Sequence, residues 1–306
     1  MEIKVTIFTP TYNRANTLPR LYESLQMQTN KEFEWLVIND GSTDETDELL
    51  YQWQQKEKTF PIHYYKVKNG GKNRAVNQGV QMAKGQYFFI VDSDDFLFPN
   101  AVSCILECFS NLTDNKQFIG ISTIKGTING KPLNENILID KTIGYVDCNN
   151  LERIKYNLTA DMAEVFFTQK LKQYPFPVWK NEKFTPEAVI WDRMALDGYI
   201  LRWHYKVIYL CDYQENGLSA SSWQLLRDNP MGYSMLFNIR LEYIKELKKI
   251  INYTLQYISC CYLANEKKQI FKCVKPILAV TLLPIGWILS LRRRRQIKIK
   301  LRNVTR

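Results

Sequence analysis

No Gly-x-Gly-x-x-Gly follows any β-like run in these 306 residues, and no complete Gly-x-x-x-x-Gly-Lys-Ser/Thr loop occurs. The nearest approach, Gly126-Thr127-Ile128-Asn129-Gly130-Lys131, is one residue short and runs into Pro132. Dinucleotide fingerprints and phosphate loops both need glycines at fixed offsets ahead of a helix, so both readings lose their main support. Histidine is scarce, with only His63 and His204 present. The seven cysteines, at 104, 108, 148, 211, 260, 261 and 273, form no Cys-x-x-Cys pair and no Cys/His ligand spacing. The expectation is free, mostly buried thiols in a reducing cytosol. No internal repeat, low-complexity tract or leader-like segment is visible, and the first β-like run begins at Ile3. The uncharged run Pro276–Leu291 falls short of the ~20 residues of a membrane span and is interrupted by Pro284 and Gly286.

Acidic charge is nearly absent from the C-terminus. From Glu266 onward there are 12 Lys or Arg and one acid, which leaves a net of −1 on residues 1–265 of a chain whose total is +10. The basicity belongs to the tail, and the rest carries no global footprint for nucleic acid. Arg292-Arg293-Arg294-Arg295 directly follows the apolar run 276–291. That order fits an interfacial or re-entrant anchor, with Trp287 at headgroup level and the arginines on anionic lipid. It equally describes a packed helix with a solvated basic end. Upstream, Leu236 to Leu263 has the periodicity of one long helix.

What is present in the first hundred residues is more specific. Ile3–Phe8, Glu34–Ile38, Ile62–Val67 and Gln86–Val91 are β-branched and aromatic runs that read as strands. Between them Leu18, Leu21 and Leu25, then Leu49, Leu50 and Trp53, then Ala75, Val76, Val80 and Ala83 recur at helical spacing. Strands alternating with helices predict βαβ units and an α/β fold with a mostly parallel sheet. Ligands of such sheets sit beyond the carboxyl ends of the strands. Tyr12, Asp40 and Asp92 all fall there.

Four clusters occupy this edge: Thr9–Arg14, Asn39–Asp44, Gly70–Asn77 and Asp92–Asp95. Asp92-Ser93-Asp94-Asp95 puts three carboxylates in four residues, which repel unless a cation sits between them. Such hard oxygen ligands suit Mg²⁺ or Mn²⁺ with phosphates completing the shell. The same tetrad is also compatible with a polar turn and helix cap. Asp40 can accept hydrogen bonds from a base or ribose, and Asp40-Gly41-Ser42-Thr43-Asp44 is also a helix-start signal; both readings can hold at once. The Tyr12 ring can stack on a base, although a rim tyrosine is the commoner role. Lys72, Asn73 and Arg74 open a helix where cations and amides can face a diphosphate, or simply a solvated start.

Together these segments resemble the family 2 glycosyltransferases, inverting enzymes with the GT-A fold. Pro10-Thr11-Tyr12-Asn13 matches the segment after the family's first strand. Asp40-Gly41-Ser42 matches the turn after its second, and Asp92-Ser93-Asp94 its Asp-x-Asp. The resemblance covers roughly residues 3–220; the expected organisation is a glycosyltransferase-like domain over 1–225 and, from the tail's own apolar and basic pattern, a helical, membrane-associating extension over 226–306. The resemblance implies transfer of a sugar from a nucleotide diphosphate, usually UDP-linked, to a hydroxyl of a glycan or lipid-linked acceptor. Pro10, Tyr12 and Asp40 would bind the nucleoside. Asn13, Arg14, Lys72, Asn73, Asn77 and Ser93 would complete the donor site. Asp92 would face the ribose or the metal, and Asp94 would bind the metal. Where many members read Ala-Arg-Asn, this chain has Ala75-Val76-Asn77, so Lys72 and Arg74 supply the charge instead. The family's acid pair before a helix is matched by Glu187, with Arg193 at the expected offset, but Ala188 breaks the pair. Glu187 is the candidate base and Asp192 the fallback. In relatives a loop near here folds over the donor; the polar loop Glu215–Ser221 reads as its counterpart or equally as a plain connection. The expected location is the cytoplasmic face of the cell membrane, on its inner leaflet, with no nucleic-acid partner. Two rivals remain: a degenerate sugar-nucleotide-binding scaffold, which the broken pair favours, and a nucleotidyltransferase, which the lack of glycine in Tyr12-Asn13-Arg14 disfavours.

Overall fold

The computed structural model describes residues 2–112, 116–211 and 222–304. The chain divides into two compact units, Met1–Pro175 with Met194–Gln214, and Phe176–Arg193 with Glu215–Arg306. The loop 215–221 lies outside the described residues.

The first unit begins with strict alternation: β1 (Val5–Thr11), α1 (Leu18–Gln26), β2 (Phe33–Asn39), α2 (Thr46–Lys56), β3 (Ile62–Lys66), α3 (Lys72–Met82) and β4 (Tyr87–Ile90). Every residue of β1 and β2 is buried, as befits parallel strands covered on both faces by helices. The short β5 (Phe96–Leu97) and α4 (Ala101–Ser110) follow. After them come β6 (Phe118–Thr127), β7 (Tyr145–Cys148), β8 (Met162–Phe167), the short α5 (Thr168–Leu171) and β9 (Ile200–Cys211); α6 (Ala188–Leu196), which precedes β9 in the chain, falls mostly in the second unit. The sheet order is β3-β2-β1-β4-β8-β6-β9-β5, with β7 also pairing β9.

The sheet is mixed, which corrects the expectation of a mostly parallel one. β3-β2-β1-β4 pair in parallel, and so do β6 and β9. However, β8 runs antiparallel to both β4 and β6, and β5 and β7 run antiparallel to β9. A parallel neighbour needs a helical crossover to return the chain to the same edge. Helices α1, α2 and α3 provide that return. The passage from β6 to β8 contains only β7 and a 3₁₀ turn at Arg153–Tyr156, so β8 enters from the opposite end. The segment Gly126–Lys131 is a strand end and a tight turn, in which the Gly130 N–H donates to Thr127 O at 2.8 Å and Gly130 takes φ 75°.

The sheet packs on α1 and α4 through one apolar core that includes Ile7, Leu21, Trp35, Phe89, Ile105, Val165 and Tyr209. Tyr22 stacks on Trp53 at 4.5 Å and lies 5.9 Å from Trp35, filling the space under β2. All seven cysteines are free and buried.

The second unit is helical. It contains α7 (Ser222–Asp228), α8 (Pro230–Tyr243), α9 (Leu247–Leu263), α10 (Pro276–Thr281) and α11 (Leu283–Val304). The single long helix expected over 236–263 is two helices. Ile244 turns to ψ 131° and Glu246 to ψ 117°. A continuous rod cannot fold its apolar residues onto one another; the break lets α8 and α9 bury Met231, Leu241, Tyr257, Ile258 and Cys261 together. The buried Glu182 carboxylate accepts the N–H groups of Met231 (2.7 Å) and Gly232 (2.8 Å), satisfying the first turn of α8. Among the described residues no helix is long and apolar enough to cross a membrane.

His204 on β9 is buried at 7 % exposure, and its Nε2 has no partner. Burial, with Lys206 and Arg202 nearby, holds its pKa down to about 4. The unfolded chain takes up this proton near pH 6.5, before the native one does, so stability falls as pH drops from that point toward 4. We expect this group to remove about 2 kcal/mol of stability between pH 7 and pH 5. Urea unfolding at both values, on wild type and His204→Gln, checks it; equal pH dependence in the two proteins would rule the assignment out.

Candidate active site

The loops that follow β1, β2 and β4, and the segment leading into α3, are cross-linked into one edge. Asn13 takes a left-handed φ of 52°. Its N–H donates to Ser42 Oγ at 2.8 Å, and its Oδ1 accepts the Thr43 N–H at 2.8 Å. The Arg14 N–H donates to Thr46 Oγ1 at 2.9 Å, and the Ala15 N–H to Asp44 at 3.1 Å. The polar residues of the Asn39–Asp44 cluster thus hold the first loop as well as starting α2. Gly41 is required here, because φ is 77° and a Cβ would lie 2.9 Å from the Asn69 backbone nitrogen.

Asp40 is 6 % exposed and anchors the third loop. Its Oδ1 accepts the Gly70 N–H at 2.6 Å and its Oδ2 the Gly71 N–H at 2.7 Å. Its own N–H donates to Thr11 O at 2.8 Å, and Asn69 Nδ2 donates to Asp40 O at 2.7 Å. Two buried polar atoms beside this carboxylate, Thr11 Oγ1 and Asn69 Oδ1, have no partner. Buried orphans of this kind are uncommon in folded proteins, and each calls for a polar partner such as water, an ion or a ligand. Tyr12, at the end of β1, is exposed, with its ring open to stacking. Pro10 is buried within β1, in register with Ile38 of β2.

The acidic tetrad is held by cations. Lys72, the first residue of α3, lies 2.8 Å from Asp92, and Lys125, near the end of β6, lies 4.0 Å from it. Burial would raise the Asp92 pKa, but Lys72, Lys125 and Arg14 overcome it and hold the group at about 2. Burial acts against the Lys125 charge too, and Asp92, Cys211 and Asp95 more than offset it. The Lys125 ammonium also rests 4.1 Å from the centre of the Tyr209 ring. The Tyr209 hydroxyl accepts the Asp92 N–H at 2.9 Å. Asp95 is buried, and burial pushes its pKa up to about 6. Asp94 keeps a part-exposed carboxylate 3.8 Å from Arg14, while Arg20 donates to its backbone carbonyl at 2.5 Å. Ser93 and Asn73 are buried, and Asn77 is half-buried on α3.

Among the described residues no three His, Cys, Asp or Glu side chains converge as a cage for a metal. Of the two part-exposed carboxylates, Asp92 is taken by Lys72 and Lys125, and Asp94, 3.8 Å from Arg14, is the one that fits a hard cation bringing phosphates with it. Magnesium and manganese are commonly held this way, by one or two carboxylates plus substrate oxygens.

The two candidate bases lie in the other compact unit. Glu187 is half-buried and opens α6, where its carbonyl accepts the N–H groups of Ile190 (2.9 Å) and Trp191 (3.2 Å). Asp192 is 5 % exposed and accepts the Tyr243 hydroxyl at 3.1 Å. Arg193 makes a two-pronged pair with Glu242, at 2.5 and 3.0 Å.

Residues 6–157 match the profile described as Glycosyl transferase family 2. The chain belongs to that family. Among curated relatives, an uncharacterized glycosyltransferase of Rickettsia bellii is 39% identical over 106 residues, 35% of this chain and 15% of that one. A poly(ribitol-phosphate) beta-glucosyltransferase of Bacillus spizizenii is 30% identical over 131 residues, 42% of this chain and 20% of that one. The matched segment thus spans only 15% to 34% of the length of the curated relatives it matches first. The crystal structure of S. aureus TarS 1–349 in complex with UDP-GlcNAc is 16% identical, with a TM-score of 0.61 over 98% of this chain and 92% of that one. At that identity the likeness establishes the fold, which is GT-A-like.

Three residues that tie this edge together escape the sequence motifs: Lys125, Tyr209 and Asn69. Lys125 carried a faint signal, as a lysine near the end of the apolar run Ile119–Ile124. Tyr209 looked like any strand tyrosine, and Asn69 lay one residue before the segment that attracted notice.

We expect Asp40→Asn to lower stability by about 1–3 kcal/mol, because an amide NH₂ would face one of the two glycine N–H groups. Urea unfolding reads the change. A loss below about 0.5 kcal/mol would show that the Gly70–Gly71 loop is held by other contacts.

Proposed function

We propose that the protein is an inverting, metal-assisted glycosyltransferase that uses a nucleotide diphosphate sugar, UDP-linked by preference. The acceptor is a hydroxyl of a glycan or lipid-linked chain in surface polysaccharide synthesis. The observation that carries this reading is the union of Tyr12, Asp40, Lys72 and Asp94 on one bonded sheet edge. The nucleoside is assigned to the Tyr12 ring and the orphaned atoms of Thr11 and Asn69. The diphosphate is assigned to the start of α3 and to Lys72. A TarS structure that holds UDP-GlcNAc and a relative named for a poly(ribitol-phosphate) substrate support the donor class and a polymeric acceptor.

A divalent cation held by Asp94 would supply positive charge to the diphosphate as it departs. Asp92 is already neutralised by two lysines and serves to position them. In the transfer, a carboxylate takes the proton of the acceptor hydroxyl as its oxygen attacks the anomeric carbon from the face opposite the diphosphate. The bond from that carbon to the phosphate oxygen breaks, and the electron pair leaves with the diphosphate, beside Lys72 and Arg14. We assign the proton to Glu187, whose offset to Arg193 matches the family's base, with Asp192 as the fallback.

Two variants test the assignment by calorimetry and transfer assay, with UDP-, GDP- and TDP-sugars in the presence and absence of Mn²⁺. Asp94→Ala is expected to abolish the metal dependence of donor binding. Glu187→Gln is expected to leave donor binding intact and to slow transfer by at least about 100-fold. If the wild type binds no nucleotide sugar, the proposed function is wrong. If Glu187→Gln transfers at the wild-type rate, the base lies elsewhere.

A further inference from the structure

Past Leu283, which packs against the core of the helical unit, the face of α11 against α9 is small and polar. Gly286 approaches so closely that a Cβ would lie 2.5 Å from Ile258 Cγ2. Ser290 is buried and donates to Trp287 O at 2.7 Å. Arg293 donates to Ser259 Oγ at 3.2 Å and bonds the Gln256 side chain. The outer face is apolar. Ile277 of α10 is 82% exposed and Ile285 of α11 53% exposed, and Trp287, Ile288 and Leu291 are exposed beside them. On α11, positions 284, 288, 291 and 295 share one face, with Ile285 and Trp287 on its flanks, while Ile277 belongs to the separate helix α10. A helix of a protein surrounded by water turns its apolar stripe to the core. A contiguous exposed stripe calls for an apolar medium or partner to cover it.

Charge identifies the cover. The stripe runs into Arg292, Arg294 and Arg295, all exposed, and no acid follows Glu266 in the sequence. A second copy of the chain brings the same arginines to a symmetric seam with no acid from this segment to neutralise them. An anionic bilayer surface offers acyl chains to the isoleucines, phosphates to the arginines, and the headgroup level that tryptophan favours.

We propose that the outer face of α10 and α11 docks on an anionic lipid surface, lying in its plane. Ile277, Ile285, Ile288 and Leu291 enter the acyl boundary, and Arg292 and Arg295 sit on lipid phosphates. The proposal concerns the helical unit alone and does not depend on the donor or the reaction assigned above.

The test is co-sedimentation of the full chain with vesicles of phosphatidylcholine, with and without phosphatidylglycerol. Binding to the phosphatidylglycerol vesicles is expected, weakened by salt and at least about tenfold weaker on phosphatidylcholine alone. Ile285→Glu with Ile288→Glu, and separately Arg292→Glu with Arg295→Glu, are each expected to reduce binding at least about tenfold. Unchanged thermal unfolding and donor binding in these variants would confirm that they fold. Deleting 276–306 is a poorer test, since it strips α9 of its packing partner. Wild-type protein that stays in the supernatant with both vesicle types, or variants that bind as tightly as wild type, would overturn the proposal. Self-association without lipid binding, lost in the isoleucine variant, would overturn it in favour of an interface between copies.

Discussion

The Asp92 carboxylate, set between the ammonium groups of Lys72 and Lys125, is the contact on which the site's geometry depends. It ties the end of β4 to the start of α3 and to the end of β6, three elements that reach the same edge by separate crossovers. The Tyr209 hydroxyl fixes the Asp92 backbone from β9. Without the lysines, Asp92, Asp94 and Asp95 would crowd three negative charges into one turn, and each would be driven toward protonation. With them, Asp92 stays ionised, at about 2, while Asp95, further inside, is pushed up to about 6. Neighbouring acids in one short motif are therefore held on opposite sides of the ordinary carboxylate range. Removing one partner of such a partly buried cluster costs more than the pair contributes, because an uncompensated charge remains.

Asp40 follows the same principle with neutral partners. Its carboxylate is saturated on one side by two consecutive glycine N–H groups. That arrangement places the loop ahead of α3, and so the position of Lys72. The sequence leaves the turn reading and the ligand reading of Asp40 open together, and the structure shows the turn role, with both carboxylate oxygens on glycine N–H groups. A carboxylate that organises the loop also organises the polar atoms around it, among them the unpartnered Thr11 Oγ1 and Asn69 Oδ1.

The first half of the fold was legible because its signals are local. A buried parallel strand is a continuous apolar run, and the helix after it has its own period, so β1 to β4 were readable one window at a time. The clusters at their ends were readable because turn chemistry and ligand chemistry both draw on Asp, Asn, Gly and Ser. What was missed is non-local. Lys125 and Tyr209 come from strands whose place in the sheet depends on the antiparallel entry of β8, and no short segment encodes that. The break between α8 and α9 was hidden because the apolar period runs on across Ile244. Only the need to bury Met231 and Leu241 against Tyr257 and Ile258 reveals it.

The two basic regions of the chain illustrate how context assigns work to the same side chain. Lys72 and Lys125 are held against Asp92, and Lys125 is further confined by the Tyr209 ring. Groups fixed in this way need no reorganisation to meet a developing negative charge, which is where electrostatic stabilisation in a water-poor site gains its strength. On the proposed reading, the resting ion pairs keep the lysines aimed at the place where a diphosphate would lie. The tail arginines are the opposite case. Arg293 is spent on α9, and Arg292 and Arg295 project beside an apolar stripe with no acid from their own segment to neutralise them. A cation that has a fixed acidic partner shapes an interior; a row of cations without one belongs to a surface that something else completes.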